Sequence, residues 1–338
     1  MRKCAKSDLS QVLAAVGTVY LPVDTENGAV YTEWKEGMNL SEATNTVRSA
    51  KDFFFPQTQD LVKFKTEGKT IEIMDIRKAS EDFTVFGVRA CDVKSIEVLD
   101  RVFLNEPVDS YYAERRAHAT IVSMACTRPI ETCFCTTFGI DAAAPEGDVV
   151  TWMTEDTVYF EAKTEKGEAW MAQIEGVTEP CDDTAVRAQQ ESTRAIMKKL
   201  PLADLTTDGF DPDKTMELFD RPEWATLSEA CLGCGTCTFV CPTCQCYDIK
   251  DFNNGHEITR FRCWDSCMYS DFTMMSAGQP RLTQKERFRQ RFMHKLVYYP
   301  ANNDGLCSCV GCGRCLAKCP ISMNIAKVMK TIGGKSHE

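Results

Sequence analysis

The chain has 338 residues, 43% of them hydrophobic, which is enough to bury a substantial core and to form about two domains. Its formal net charge of −10 argues against nucleic acid as a general partner, and no run approaches the ~18 consecutive apolar residues of a membrane span. Nineteen cysteines exceed the needs of an ordinary cytosolic enzyme, yet the N-terminus lacks the apolar segment of a secretion signal, which disfavours a disulfide scaffold. The cysteines instead predict metal binding in a reducing, anaerobic cytoplasm.

The first part of the chain, residues 1–175, has the pattern of an α/β domain. Segments rich in apolar and β-branched residues predict strands at 70–76, 83–88 and 119–125. Between the last two, residues 92–104 predict a helix, with Asp92 as its N-cap and with one apolar face. A strand, a helix and a strand in this succession predict a right-handed crossover between parallel strands. Residues 176–222 are rich in polar and turn-forming residues and are interpreted as a linker.

Two cysteine runs define the remaining segment, residues 223–338. They read Cys231-x2-Cys234-x2-Cys237-x3-Cys241-Pro242 and Cys309-x2-Cys312-x2-Cys315-x3-Cys319-Pro320. This is the spacing of a bacterial ferredoxin with two [4Fe–4S] clusters, in which the last cysteine of each run binds the cluster of the other run. The predicted ligands are Cys231, Cys234, Cys237 and Cys319 for cluster 1, and Cys309, Cys312, Cys315 and Cys241 for cluster 2. Two matching runs of four cysteines exceed what the alternative, a zinc knuckle, needs.

The two runs are further apart than in a minimal ferredoxin, so we predict an insertion at about 243–303. Within it, Asn254-Gly255 predicts a hairpin with a two-residue loop. Residues 284–297 predict a helix with an apolar face, and the main basic run of the chain lies on and beside it. That run comprises Arg281, Lys285, Arg287, Arg289, Arg291 and Lys295. It is open to interpretation as a solvated face, as a docking patch for an acidic partner, or as a field that raises a cluster's potential.

Four cysteines of the N-terminal domain predict a further site. Cys91 and Cys126 directly follow two strands that the crossover would make parallel neighbours, and Cys133 and Cys135 lie in the loop just beyond. Open α/β sheets bind ligands at the carboxyl ends of their parallel strands. Four thiolates at that edge can hold a third [4Fe–4S] cluster. The alternative is that Cys91 and Cys126 are small buried hydrophobic residues, a common role of free cysteine.

The insertion contains a second group of cysteines, which comprises Cys244, Cys246, Cys263 and Cys267. The predicted hairpin places Cys246 opposite Cys263, and a helical continuation would put Cys267 on the side of Cys263. A fourth cluster is therefore possible. The alternative is a packing group, or thiols that surround the ferredoxin-type clusters.

Nucleotide-binding motifs are absent from the sequence. No G-x-G-x-x-G follows a strand and there is no P-loop, so we expect neither a flavin nor a nucleotide in this chain. Electrons must then enter from a partner, most simply a flavoprotein, and leave to a catalytic subunit.

Several stretches resemble a family of iron–sulfur electron-transfer subunits. The stretches are residues 87–92, 133–135, 241–246, 264–267 and 309–315. They are similar to the beta subunit of cytosolic sulfhydrogenases and to the iron–sulfur subunits of anaerobic sulfite reductase and of flavin oxidoreductases associated with heterodisulfide reductase. The similarity extends over about residues 53–329. The family pattern does not require cysteine at the position of Cys263, which favours Cys244, Cys246 and Cys267 as a trio.

The resemblance implies two partners. One is a subunit that binds FAD and oxidises NAD(P)H. The other is catalytic: a nickel–iron hydrogenase, a sirohaem sulfite reductase or a heterodisulfide-reductase-like module.

The sequence therefore predicts an α+β protein, with a partly parallel sheet in the N-terminal α/β domain and a two-[4Fe–4S] ferredoxin domain that carries a helical and hairpin insertion. Its expected function is to relay single electrons in a soluble multisubunit oxidoreductase rather than to catalyse a reaction by itself. Two alternatives remain open. One is a self-contained reductase that binds substrate at an incompletely ligated cluster near Cys244, Cys246 and Cys267, and the other is a structural subunit whose clusters hold the fold together.

Overall fold

The computed structural model describes residues 1–333, which form two β-sheets and the helices that pack on them. The strands are β1 Arg2–Ala5, β2 Val19–Thr25, β3 Gly28–Glu33, β4 Thr58–Glu67, β5 Thr70–Met74, β6 Phe83–Val88, β7 Ala119–Met124, β8 Val149–Met153, β9 Thr157–Ala162, β10 Glu179–Pro180, β11 Tyr247–Asn253 and β12 Glu257–Trp264. The α-helices are α1 Leu9–Ala15, α2 Lys51–Phe54, α3 Ala90–Phe103, α4 Ser110–His118, α5 Glu165–Gln173, α6 Thr184–Met197, α7 Thr215–Phe219, α8 Glu223–Glu229, α9 Thr236–Phe239, α10 Gln284–Met293, α11 Tyr299–Ala301, α12 Arg314–Lys318 and α13 Ile325–Ile332.

The larger sheet has eight strands in the order β10-β1-β9-β8-β7-β6-β2-β3. Its central pairs β2–β6, β6–β7 and β7–β8 are parallel and its outer pairs are antiparallel, so the predicted partly parallel sheet is confirmed. The connection from β6 to β7 contains α4 as well as the predicted helix. The predicted N-cap is wrong, because α3 begins at Ala90 after Arg89, and the Asp92 carboxylate accepts hydrogen bonds from Arg314 instead.

Helices cover both faces of the parallel strands. Phe86 and Val122 point to the face covered by α1 and α5, while Val85 and Ile121 point to the face covered by α3 and α4. Each large apolar side chain buried in this way stabilises the fold by about 1.5–3 kcal/mol. Strands buried on both faces read as continuous apolar runs, which explains why β6 and β7 were predictable from the sequence.

The second sheet is antiparallel and has the order β11-β12-β4-β5. It joins strands of the N-terminal segment to the hairpin of the insertion. The predicted strand at 70–76 forms the edge of this sheet as β5 rather than a strand of the larger sheet.

The predicted register of the hairpin is wrong by one residue on each strand. The Asn254 side-chain oxygen accepts hydrogen bonds from the backbone N–H groups of His256 and Glu257, and the Asn254 N–H donates to the Glu257 carbonyl. This places Gly255 and His256 at the tip of the hairpin, so Cys263 pairs with Asp248 and not with Cys246.

The C-terminal segment packs its helices around the cysteine runs. The predicted basic helix is present as α10 and continues as a π-helical segment, His294–Tyr298, into α11. Its apolar face is buried in a core that contains Phe288, Phe292 and Leu296 together with Trp224. None of the helices in residues 1–333 combines the length and the apolar character that crossing a bilayer requires.

Candidate iron–sulfur centres

Three cavities bring together the three sets of four cysteines that the sequence predicts, and Cys312 of cavity 2 also lines cavity 3. Cavity 1 is lined by Cys231, Cys234, Cys237 and Cys319. Cavity 2 is lined by Cys241, Cys309, Cys312 and Cys315. Cavity 3 contains Cys91, Cys126, Cys133 and Cys135. The last cysteine of each run therefore lies with the first three cysteines of the other run.

Cavity 3 lies at the carboxyl ends of β6 and β7. Cys91 occupies the first turn of α3, which follows β6, and Cys126 lies just after β7. The Arg89 side chain donates a hydrogen bond of 2.9 Å to the Ala125 carbonyl and so ties the two strand ends together. All four thiols are buried, with 6–8% of each cysteine exposed.

The loops of cavities 2 and 3 are in direct backbone contact. The Phe134 N–H donates a hydrogen bond of 2.9 Å to the Gly311 carbonyl. A Cβ atom at Gly313 would lie 2.3 Å from the Thr132 carbonyl oxygen, and one at Gly311 would lie 2.4 Å from the Phe134 carbonyl oxygen. Glycine is required at both positions, because no side chain fits between the two loops.

We expect Gly313→Ala to lower the iron content and the thermal stability of the anaerobically purified protein, because the two loops must separate to admit the methyl group. The matched control is Gly17→Ala, which has nearly the same backbone, with a φ of +74° against +77°, but has no atom within 4 Å of the added Cβ. The control should show only the cost of a left-handed backbone, about 1 kcal/mol. Equal losses in the two variants would show that the contact between the loops is unimportant.

The three cavities form a row. Arg291 lines cavities 1 and 2, while Gly311 and Cys312 line cavities 2 and 3. Cavity 2 therefore adjoins both of the others and lies between them.

Two buried cations lie beside cavity 2. Arg291 and Lys295 are 2% and 3% exposed, and neither forms an ion pair with a carboxylate within residues 1–333. The Lys295 ammonium donates to the Thr243 hydroxyl and to the Ser308 carbonyl, at 2.9 and 2.8 Å. The Arg291 Nε is buried without a hydrogen-bond partner. Since a buried cation without a counter-charge is strongly unfavourable, these side chains fit a site that holds an anionic group.

The donor set also fits iron–sulfur clusters. Burial raises the pKa of the Cys315 thiol to about 12, although the nearby Arg291 guanidinium lowers it. Burial also raises the pKa of the Cys133 thiol, to about 11. Iron must therefore displace protons from these thiols when it binds. In the described part of the chain, no three His, Cys, Asp or Glu side chains are arranged to share one metal ion. This agrees with a cubane, because each of its four thiolates binds a different iron atom.

A buried ion pair connects the two cysteine-bearing segments. The Arg314 guanidinium donates to both oxygens of the Asp92 carboxylate, at 2.5 and 2.7 Å, and its Nε donates to the Thr46 carbonyl at 2.8 Å. Arg314 is 4% exposed and Asp92 is 1% exposed. The pair holds α12, which carries Cys315, against α3, which carries Cys91.

The fourth cysteine group is only partly brought together. The thiols of Cys246 and Cys267 lie beside each other, and the Cys244 thiol lies beside that of Cys241. None of the group lines cavities 1 to 3. Cys263 lies on β12 opposite Asp248 and Thr58, and the segment after it is not helical, so both arguments that joined it to the group are wrong.

Sequence reasoning missed the buried charges around the cavities. Lys51 is 2% exposed and donates to the carbonyls of Cys241 and Cys244, each at 3.0 Å, and burial lowers its pKa to about 8. Arg291 and Lys295 belong to the basic run, and their spacing of four residues beside the apolar positions Phe288 and Phe292 was a usable signal. Nothing in the local sequence marks Lys51.

Comparisons with known proteins agree with this geometry. Residues 230–323 match the model of the "4Fe-4S dicluster domain" family. The chain is 31% identical over 327 residues to "Sulfhydrogenase 2 subunit beta" of Pyrococcus furiosus, and the match covers 95% of this chain and 93% of that protein. The search of solved structures found no match.

Proposed function

Because this chain belongs to the iron–sulfur subunit family of the sulfhydrogenase beta subunits, we propose that it relays single electrons between a subunit that oxidises NAD(P)H with FAD and a separate catalytic subunit. The chain is an iron–sulfur electron-transfer subunit of an oxidoreductase and has at least two [4Fe–4S] clusters. The third cluster, the ligands of each cluster and the identity of the partners belong to the proposal.

In this proposal each cavity holds one cluster, with the predicted set of four cysteines as its ligands, and Cys312 binds the cluster of cavity 2 rather than that of cavity 3. A [4Fe–4S] cluster accepts and releases one electron at a time. The chain's own residues bind the clusters, exclude water and supply positive charge beside them. Arg291 and Lys295 would stabilise the more negative, reduced state of the clusters that they adjoin, which raises the potential.

The observation that carries the proposal is the row of cavities. Cavity 2 shares one lining residue with cavity 1 and two with cavity 3, so an electron would cross the molecule in short steps. Clusters that served only to hold the fold together would not need this continuous arrangement. Among the catalytic partners that the resemblance implies, the name of the relative supports a nickel–iron hydrogenase over a sirohaem sulfite reductase or a heterodisulfide-reductase-like module.

The proposal is tested with the Cys234→Ser variant. We expect the variant to lose or alter the cluster of cavity 1 and to lower the NAD(P)H-driven turnover of the complete complex at least tenfold, because the row is then interrupted at its end. EPR of the reduced protein and turnover of the complex are measured together. Cys263→Ser is the control, since Cys263 lines none of the three cavities.

Near-normal turnover of Cys234→Ser would contradict the proposed relay. Turnover of a terminal substrate by the isolated chain would favour a self-contained reductase, because a relay alone passes electrons only to artificial dyes and to other redox proteins.

A further inference from the structure

The loop that carries Cys231 and the segment that leads into α10 expose several large apolar side chains. Leu232, Met274, Met275 and Leu282 are 69%, 63%, 59% and 75% exposed. Together with Tyr269 and Lys285 they define what we call the cluster 1 face. Exposed apolar side chains are common when scattered, but a group of them at one place marks an interaction surface.

Contacts place Tyr269 and the start of α10 at the loop that carries Cys231 and Cys234. Leu232 lines cavity 1 and is mostly exposed, so the cavity lies close to the surface. The Tyr269 hydroxyl donates to the Cys234 carbonyl at 3.2 Å. The Gln284 amide lies 3.5 Å from the Cys231 sulfur. Both ends of the segment from Tyr269 to Gln284 therefore contact this loop.

Cavity 1 is also the one that approaches the surface most closely. Cys234 is exposed, whereas every cysteine of cavity 3 is at most 8% exposed and Cys241 of cavity 2 is 9% exposed. A redox partner that binds the cluster 1 face would therefore approach the cluster proposed for cavity 1 closely.

The charge on the α10 side of this face is positive, whereas Asp265 and Asp271 lie beside Tyr269 on its other side. Between residues 276 and 298 the sequence has six lysines and arginines, and Glu286 is its only carboxylate. Two of the six, Arg291 and Lys295, are buried at the cavities. Arg281, Lys285 and Arg287 are at least partly exposed and form no ion pair in the described part of the chain. Lys285 and Arg287 lie in the first turn of α10, where the helix dipole disfavours cations, so helix stability does not explain them.

We propose that the cluster 1 face is the docking surface for an acidic redox protein, which exchanges electrons with the chain through cavity 1. This inference rests on the proposed function and adds the place and the kind of partner. A partner with carboxylates would neutralise the cations at the edge of the interface while its apolar side chains cover Leu232 and Leu282. A second copy of this chain fits less well, because a two-fold interface would set the same positive residues against each other.

The test is stopped-flow electron transfer from the full, anaerobically purified and dithionite-reduced chain to a purified acidic ferredoxin. We expect Lys285→Glu to lower the second-order rate about tenfold at low salt, since electrostatic steering changes association rates by about 10–10³. The difference should shrink at about 1 M salt, where charges are screened beyond about 3 Å. Leu282→Ser should lower the rate at every salt concentration, because it removes apolar contact.

Matched controls separate docking from damage to the clusters. Lys35→Glu and Ile73→Ser change an exposed lysine and a 69% exposed apolar side chain on other elements, and both should leave the rate unchanged. All variants should accept electrons from dithionite-reduced methyl viologen at the same rate, because a small dye needs no docking surface.

Three outcomes would overturn the inference or its premise. Equal rates for Lys285→Glu and Lys35→Glu, with normal reduction by the dye, would contradict the proposed docking surface. The proposed function as an electron relay would not be affected. A dimer of the wild type that dissociates in Leu282→Ser would assign the face to a second copy. If the reduced dye did not reduce the wild type, the result would instead contradict the proposed function in electron transfer.

Discussion

Replacing Cys135 with serine should remove about a third of the iron while both ferredoxin-type clusters remain. Three [4Fe–4S] clusters amount to about twelve iron atoms per chain, and a chain without the cluster of cavity 3 would keep about eight. Cys135 lines cavity 3 and not cavity 2, and it lies on the N-terminal segment, outside both cysteine runs. The loss should therefore be confined to one cluster.

The measurement is iron and sulfide quantification of the anaerobically purified protein, combined with EPR at successive potentials. The signals of cavities 1 and 2 should persist in Cys135→Ser, and one set of signals should be missing. Cys263→Ser should match the wild type in both measurements. Eight iron atoms in the wild type, and no change in the variant, would show that Cys91, Cys126, Cys133 and Cys135 are not ligands. About sixteen would indicate a fourth cluster near Cys244, Cys246 and Cys267.

Replacing Asp92 with asparagine should lower the free energy of unfolding by about 3–5 kcal/mol, because the Arg314 guanidinium would remain buried without a counter-charge. Arg314 and Asp92 are both almost completely buried, and they join the segments that form cavities 2 and 3. Urea unfolding under anaerobic conditions, followed by tryptophan fluorescence and by the visible absorption of the clusters, measures the change. We expect both signals to shift together.

The control for this prediction is Asp251→Asn. Asp251 pairs with Arg260 on exposed strands, where solvent screens the interaction, so its loss should matter little. The double variant Asp92→Leu with Arg314→Met should recover part of the stability lost in Asp92→Asn, since it removes both charges. If Asp92→Asn and Asp251→Asn unfolded at the same urea concentration, the pair would not join the two segments as described.

The predictions that were confirmed depend on patterns within one short segment of sequence, and those that were wrong depend on contacts outside such a pattern. β6 and β7 were predictable because both of their faces are buried, which leaves a continuous apolar pattern in the sequence. The hairpin was recognised from Asn254-Gly255, but its register was not. The hydrogen bonds of the Asn254 side chain shift the turn by one residue. The preference of Asn-Gly for a two-residue loop does not take these side-chain hydrogen bonds into account.

The basic run also shows that a local sequence pattern does not determine which side chains are buried. The sequence does not distinguish the six cations of this run from one another. In the structure, Arg291 and Lys295 are buried and Lys285 is exposed to solvent. Burial depends on which side of α10 meets the core, and here the stems of two long side chains pass beside the apolar side chains to reach the cavities. The same six residues therefore include cations that tune the clusters and cations that are available to a partner.

The order of the residues alone was enough to predict the class of cofactor and the two runs of four cysteines that the structure brings together, because each run is a short segment whose spacing is visible in neighbouring residues. Other relations became known only from the folded chain: the three cavities stand in a row, Arg314 meets Asp92, and Cys263 lies apart from Cys246. Those relations join residues that are distant in sequence, and they depend on the packing of sheets and helices, which no local pattern encodes.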